Sequence, residues 1–265
     1  MSSRVSPMIL ITIVTALSCK KVIQVDLNNA APQIVITGAI TNTPGPYQVS
    51  VSRTVNFSDF NQFPPVEGAL VILSDNKSFS DTLVPTTPGS YSSHPFWQGT
   101  SGTTYTLHVT IDSTTWSATS TMPFPVPLDS IGFSDQSRLR KTNIQAIPYF
   151  QDPPGLHNYY LFTETINGIP RNKDFIFDDR LSDGKYIHQP INDDSSHLNI
   201  GDNLLLTMSC VDSAVYSYLT TLIQNTDANQ AQSTAPANPN TNISGGALGY
   251  FSARTLQSKQ VVVHL

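Results

Sequence analysis

A period of two constrains this chain more than any other feature. In Thr103-Thr-Tyr-Thr-Leu-His-Val-Thr-Ile111, Tyr105, Leu107, Val109 and Ile111 alternate strictly with polar residues, and Asp112-Ser113 leads into Trp116 and Ala118. Successive side chains of a strand point to opposite faces, so this alternation buries one face of a sheet and wets the other. Segments 33–41, 47–53, 68–75, 78–84, 88–91 and 114–120 read as further strands. Between the first two, Thr43-Pro-Gly-Pro46 supplies a turn, since proline fixes φ and glycine is permissive. Seven or so short strands at turn-punctuated spacing predict an antiparallel sandwich across residues 33–121.

Met122-Pro-Phe-Pro-Val-Pro127 places a proline at every second position. That pattern enforces an extended, polyproline-like connector and sets a domain boundary at 122–127. Beyond it, residues 128–265 read as a second β-rich domain with strands at 144–150, 158–166, 174–178 and 204–210. Segments 242–253 and 260–264 read as a tight turn and two closing strands. One amphipathic helix is expected near 213–225, where Val215, Leu219, Leu222 and Ile223 recur at helical spacing and Asp212 or Ser213 can cap. The expected class is therefore mainly β: an N-terminal Ig-like or prealbumin-like antiparallel β-sandwich, then a β-rich domain with one amphipathic helix.

The N-terminus fixes the compartment. Arg4 and a polar start precede Met8-Ile-Leu-Ile-Thr-Ile-Val-Thr-Ala-Leu-Ser-Cys19, which has the order of an export signal. Its apolar run is about ten residues, against the roughly twenty a membrane-spanning helix needs. Ala16-Leu-Ser-Cys19 resembles a bacterial lipobox, with Ala16 where Leu is usual. On that resemblance residues 1–18 are a lipoprotein signal peptide, Cys19 is diacylated, and 19–32 form a tether from the lipid. An ordinary signal peptide, with Cys19 removed or incidental, is the alternative. Several acyl chains anchor a domain durably where one holds only marginally.

Charge is sparse, at 12% charged residues against 39% hydrophobic ones, which suits exported β-rich proteins rich in Thr, Ser and Pro. A net charge of −5 without a basic cluster gives no footprint for nucleic acid. There are two cysteines. With Cys19 lipidated, Cys210 has no intramolecular partner and is expected to be a buried free thiol.

Candidate chemistry is thin. The six histidines form neither a His-Glu-x-x-His pattern nor a Cys-His cluster. Asp178-Asp179, Asp183-Gly184 and Asp193-Asp194 can join in a calcium site, but they lack the Asp-x-Asp-x-Asp-Gly loop, so solvated loops are expected. No metal and no cofactor are expected. There is no Gly-x-Ser-x-Gly elbow, and Glu67 and Glu164 are the only glutamates. A glycoside hydrolase needs two facing carboxylates, which aspartates can also supply, a geometry that sequence does not display. Phe57, Phe60 and Phe63, in a loop ending at Pro64-Pro65, are with Trp97 the candidate ligand-facing aromatics. The plainer reading folds that loop onto its own sandwich. Trp97, Tyr159, Tyr160 and Phe175 suit sugar stacking, although in a sandwich such residues are more often core.

The order Gly68-Ala-x-Val71, Gly89-x-Tyr91 and Gly102-x-x-Tyr105-x-Leu107-x-Val109 resembles carboxypeptidase-regulatory-like and prealbumin-type sandwiches, which are spacers or docking modules more than catalysts. Those segments, the lipobox, Val35-Ile-Thr-Gly-Ala-Ile-Thr-Asn42, Gly45-Pro-Tyr-x-Val-x-Val-x-Arg53 and Pro239-Asn-Thr-Asn-Ile-Ser-Gly-Gly-Ala-Leu-Gly-Tyr-Phe251 together resemble, over nearly the whole chain, the Bacteroidota outer-membrane lipoprotein family catalogued as domain of unknown function 4249. The resemblance implies an outer-membrane address and a TonB-dependent transporter as neighbour, with no catalytic residues to carry over. The expectation is a non-enzymatic accessory or ligand-capture lipoprotein, held in outer-membrane lipid through Cys19. The alternatives are a structural or adhesive envelope protein and, last, a hydrolase. Lys20-Lys-Val-Ile-Gln-Val-Asp26 lacks the acidic start common after the lipidated cysteine of surface-displayed lipoproteins, so surface-exposed and periplasm-facing positions both stay open.

Overall fold

A computed structural model describes residues 31–55, 63–135, 143–191, 198–226 and 238–265. Eight strands precede the proline connector: β1 (Ile34–Thr41), β2 (Gln48–Arg53), β3 (Leu70–Asp75), β4 (Ser80–Thr82), β5 (Val84–Thr87), β6 (Ser90–Ser92), β7 (Thr104–Ile111) and β8 (Thr114–Thr121). In β7, Tyr105, Leu107 and Val109 are buried while Thr104, Thr106, His108 and Thr110 are half-buried, as the alternation requires. β4, β3, β7 and β8 form one antiparallel sheet, and β5, β6, β2 and β1 lie in order along another. Ile36, Val49 and Val51 meet Val71, Leu73 and Leu107 between the two sheets. Each such burial stabilises by about 1.5–3 kcal/mol relative to exposure. Tyr91 closes one end: its hydroxyl donates to the Val66 carbonyl at 3.0 Å and accepts from the Ala69 N–H at 2.9 Å.

The rest of the chain adds β9 (Ser130–Asp135), β10 (Ile144–Gln151), β11 (Tyr159–Ile166), β12 (Ile169–Pro170), β13 (Phe175–Asp178), β14 (Tyr186–Ile187), β15 (Asn203–Val211), α1 (Ser213–Thr226) and β16 (Leu248–Val262). β14, β10 and β9 form a three-stranded sheet, whereas β12, β11, β15 and β16 continue the sheet that holds β1. The three-stranded sheet contributes Ile131, Ile144 and Phe150 to a second core, where they meet Tyr160, Leu204, Leu206 and Met208. On the opposite face of β11 and β15, Leu161 and Val211 pack against Val215 and Leu219 of α1. Asp212 is the cap of that helix: its Oδ1 accepts the Val215 N–H at 2.9 Å, and its other oxygen accepts the hydroxyl of Ser120 in β8.

One reading from sequence is revised. The two closing strands are one 15-residue strand, β16. Its first half runs parallel to β1 from Leu248 to Arg254, and its second half runs antiparallel to β15. Gln257, Ser258 and Lys259 keep backbone pairing with β15 while Ser258 and Lys259 face solvent, so polarity there does not interrupt the strand. Within residues 33–121 the strands pair antiparallel, as expected, and β16 adds a parallel neighbour to β1. The connector divides the cores but not the sheet, for Met122 belongs to the first core, Val126 and Leu128 to the second.

The segment before β16 is a staple. Asn242 donates to the carbonyls of Phe251 (2.7 Å) and Thr119 (3.2 Å) and accepts the Phe251 N–H at 3.0 Å. Ser244 N–H donates to the Ser117 carbonyl at 2.7 Å, and the Trp116 indole donates to the Gly245 carbonyl at 3.2 Å. Residues 242–251 thus tie β8 of one sheet to β16 of the other, which gives the Asn242-Ile-Ser-Gly-Gly246 run a structural role.

Candidate functional site

Two features in the second half carry binding chemistry. The first is a cavity of about 340 Å³ lined by residues of β10, β11, β13, β14 and α1, and of the segments beside them. β13 pairs Tyr159 to Phe162 of β11 and brings Phe175 and Phe177 to the same space as Phe150 and Phe162. Lys173, Asp174 and Gln189 add polar groups. The Lys173 ammonium stands 5.4 Å from the centre of the Phe175 ring, within cation–π range. Burial pushes the Asp174 carboxyl pKa up, and the charge of Arg254 opposes that only in part. Aromatic walls with a few convergent polar groups suit a small, largely apolar molecule carrying a polar head.

The second feature is a knot of three carboxylates. Asp152 follows β10, and Asp179 and Asp183 lie in the turns after β13; one oxygen of each lies within 4.8 Å of the other two. Asp152 and Asp179 are fully buried, and Asp183 is exposed. Asp152 accepts the Tyr160 hydroxyl on Oδ1 and the Gly184 N–H on Oδ2 at 2.9 Å. Asp183 Oδ1 accepts the Gly155 N–H at 2.8 Å, and Asp179 Oδ2 the Asn158 N–H at 2.8 Å. Asp179 Oδ1 is buried without a hydrogen bond; the ring of the exposed His157 is 3.5 Å from it. Burial pushes the Asp152 carboxyl pKa up, Tyr160 and Gly184 oppose it, and the charges of Asp179 and Asp183 add to it.

The residues singled out from sequence are dispersed. Cys19, Phe57 and Phe60 lie outside the described residues, as do Asp193 and Asp194. Phe63 is exposed. Trp97 is half-buried, stacked on Phe79 at 4.0 Å and edge-on to Tyr47 and Tyr105 at 5.5 Å each; among the described residues no ring contact joins it to Phe63. Tyr160 is core, Tyr159 packs on Tyr216 at 4.8 Å, and Phe175 lines the cavity. Asp178 turns to Arg180 and to the Tyr216 hydroxyl, at 2.8 Å each. The loops expected to be solvated instead bury Asp179, and the partner that buries with it is Asp152, from a segment whose Pro-Pro-Gly signals only a turn. Cys210 is a buried free thiol, and burial pushes its pKa up, which suppresses thiolate chemistry.

The family model described as "Domain of unknown function (DUF4249)" matches residues 20–260. No curated protein matches. Among solved structures, a two-domain fibronectin type III segment from chicken tenascin is similar at 10% identity and a TM-score of 0.25, covering 88% of this chain and 99% of that one. Among the described residues no helix is long and apolar enough to cross a membrane.

Proposed function

This chain belongs to the DUF4249 family, and we propose that it is a non-enzymatic, lipid-anchored outer-membrane protein that captures a ligand for a TonB-dependent nutrient transporter. The observation that carries the ligand-capture reading is the cavity beside β13, with Phe150, Phe162, Phe175 and Phe177 as walls and Lys173 and Asp174 as polar anchors. Such a site binds and orients a small amphipathic molecule without needing a reactive group. The lipobox ending at Cys19 and the resemblance to envelope lipoproteins support the address and the neighbour. Acylation at Cys19 holds the domain at the membrane surface while the tether gives it reach.

The test is gentle detergent extraction of the chain with a C-terminal tag, with mass spectrometry of the co-purifying proteins and of the processed N-terminus. A stoichiometric TonB-dependent transporter together with an acylated Cys19 is the expected result. A lone acylated protein removes the transport role and leaves a structural or adhesive envelope protein, for which deletion alters attachment and spares uptake. An N-terminus without acyl chains removes the anchor.

A further inference from the structure

We propose that Asp152, Asp179 and Asp183 bind a divalent cation, and that Ca2+ is the ion that fits. Three oxygens within 4.8 Å of one another can share one ion, because Ca2+ holds its ligands at about 2.3–2.6 Å and opposite ligands then stand roughly 5 Å apart. Ca2+ accepts irregular oxygen coordination from carboxylates and carbonyls, whereas Mg2+ demands a near-ideal octahedron and keeps several of its waters. The carboxylates are already oriented: the N–H groups of Gly184, Gly155 and Asn158 each hold one oxygen of Asp152, Asp183 and Asp179. Groups that orient the ligands of a metal from behind do this in established sites.

What points to a ligand, beyond the clustering itself, is Asp179 Oδ1. It is an oxygen of a fully buried carboxylate and it accepts no hydrogen bond. A buried charged oxygen left without a partner costs far more than a paired one, so such atoms are ordinarily paired or coordinate metals. The exposed His157 ring pairs with it at 3.5 Å only when protonated, at a distance too long for a good hydrogen bond. Ser182, whose N–H donates to the Asp179 carbonyl at 2.7 Å, carries a buried hydroxyl that also lacks a hydrogen-bond partner. A cation here joins the segment after β10 to the turns after β13, beside the elements that line the apolar cavity.

The probe is Tb3+ with the full-length chain in detergent after treatment with chelator. Tyr160, hydrogen-bonded to Asp152, is the built-in sensitiser. Tyrosine-excited Tb3+ emission is expected, displaced by Ca2+ at lower concentration than by Mg2+, and Ca2+ is expected to raise the Tm by several degrees. Asp183→Asn keeps an acceptor for Gly155 and lies at the surface, so the variant folds; it is expected to weaken Ca2+ binding by roughly ten-fold or more and to lose the Tm increase. A wild-type chain with neither sensitised emission nor a Ca2+-dependent Tm overturns the proposal, as does a response that survives unchanged in Asp183→Asn.

Discussion

Single side chains in this molecule hold turns that the strands alone leave open. Tyr91 is 2% exposed and spends its hydroxyl on two backbone groups of the segment leading into β3. Tyr91→Phe keeps the ring packing but strands the Ala69 N–H and the Val66 carbonyl. The expected loss is about 1–3 kcal/mol, read as a lowered urea midpoint with unchanged slope. Asp75 holds the turn into β4 through its Oδ1, which accepts the N–H groups of Lys77, Ser78 and Phe79 at 2.8–2.9 Å. Burial alone raises its pKa, but those donors and the Lys77 charge outweigh it and hold the carboxyl below the usual range. A depressed carboxyl stabilises the fold above its unfolded pKa and ceases to do so as pH falls through the folded one. Asp75→Asn, which does not titrate, is therefore expected to be less stable than wild type at neutral pH by under about 1 kcal/mol. The two should converge in acid, and urea melts at both pH values check the sign.

At the scale of elements, the parallel β1–β16 pair joins the two halves of the chain, and one residue makes it possible. Gly249 pairs with Ile36 at a φ of +93°, and a Cβ built there stands 2.0 Å from the Ile36 carbonyl oxygen. Gly249→Ala thus meets both a left-handed backbone and a clash with backbone, which cannot move aside like a flexible side chain. A loss of at least about 3 kcal/mol is expected, with amide exchange accelerated along Ile34–Thr41 before other strands of the sheet. Gly246→Ala is the control: its φ of +81° carries the backbone strain, yet nothing lies within 4 Å of its Cβ. The difference between the variants isolates the clash. The element boundaries that sequence shows best are those set by local chemistry. Helix α1 is expected at 213–225 and found at Ser213–Thr226, because apolar spacing and the Asp212 cap both act within a few residues. The partner of β16 is not local. Alternation says which face a residue buries, never which strand lies beside it.

For the whole molecule the same distinction separates what was legible from what was not. The sandwich follows from period two in β7 and from turn residues, and the buried thiol of Cys210 follows from its apolar neighbours. The cavity and the carboxylate knot follow from neither. Asp152 and Asp179 meet only because β10, β11 and β13 set two distant loops side by side, and the cavity draws on separate strands and a helix. The one long strand also bears on how the molecule unfolds. β16 gives Phe251 and Ala253 to the first core, and its far end leads to Val263 in the second, so loss of either core exposes the flank of a strand the other requires. Both tryptophans, Trp97 and Trp116, pack against the first core and report on it alone. Phe150 is fully buried in the second, and Phe150→Ala should remove about 3–5 kcal/mol there. With the sheet acting as one cooperative unit, that substitution lowers the urea midpoint read by tryptophan fluorescence together with the one read by far-UV circular dichroism. A tryptophan transition that stays in place while the dichroism splits in two means instead that the proline connector separates two domains that unfold independently, with β16 dividing between them at Arg254.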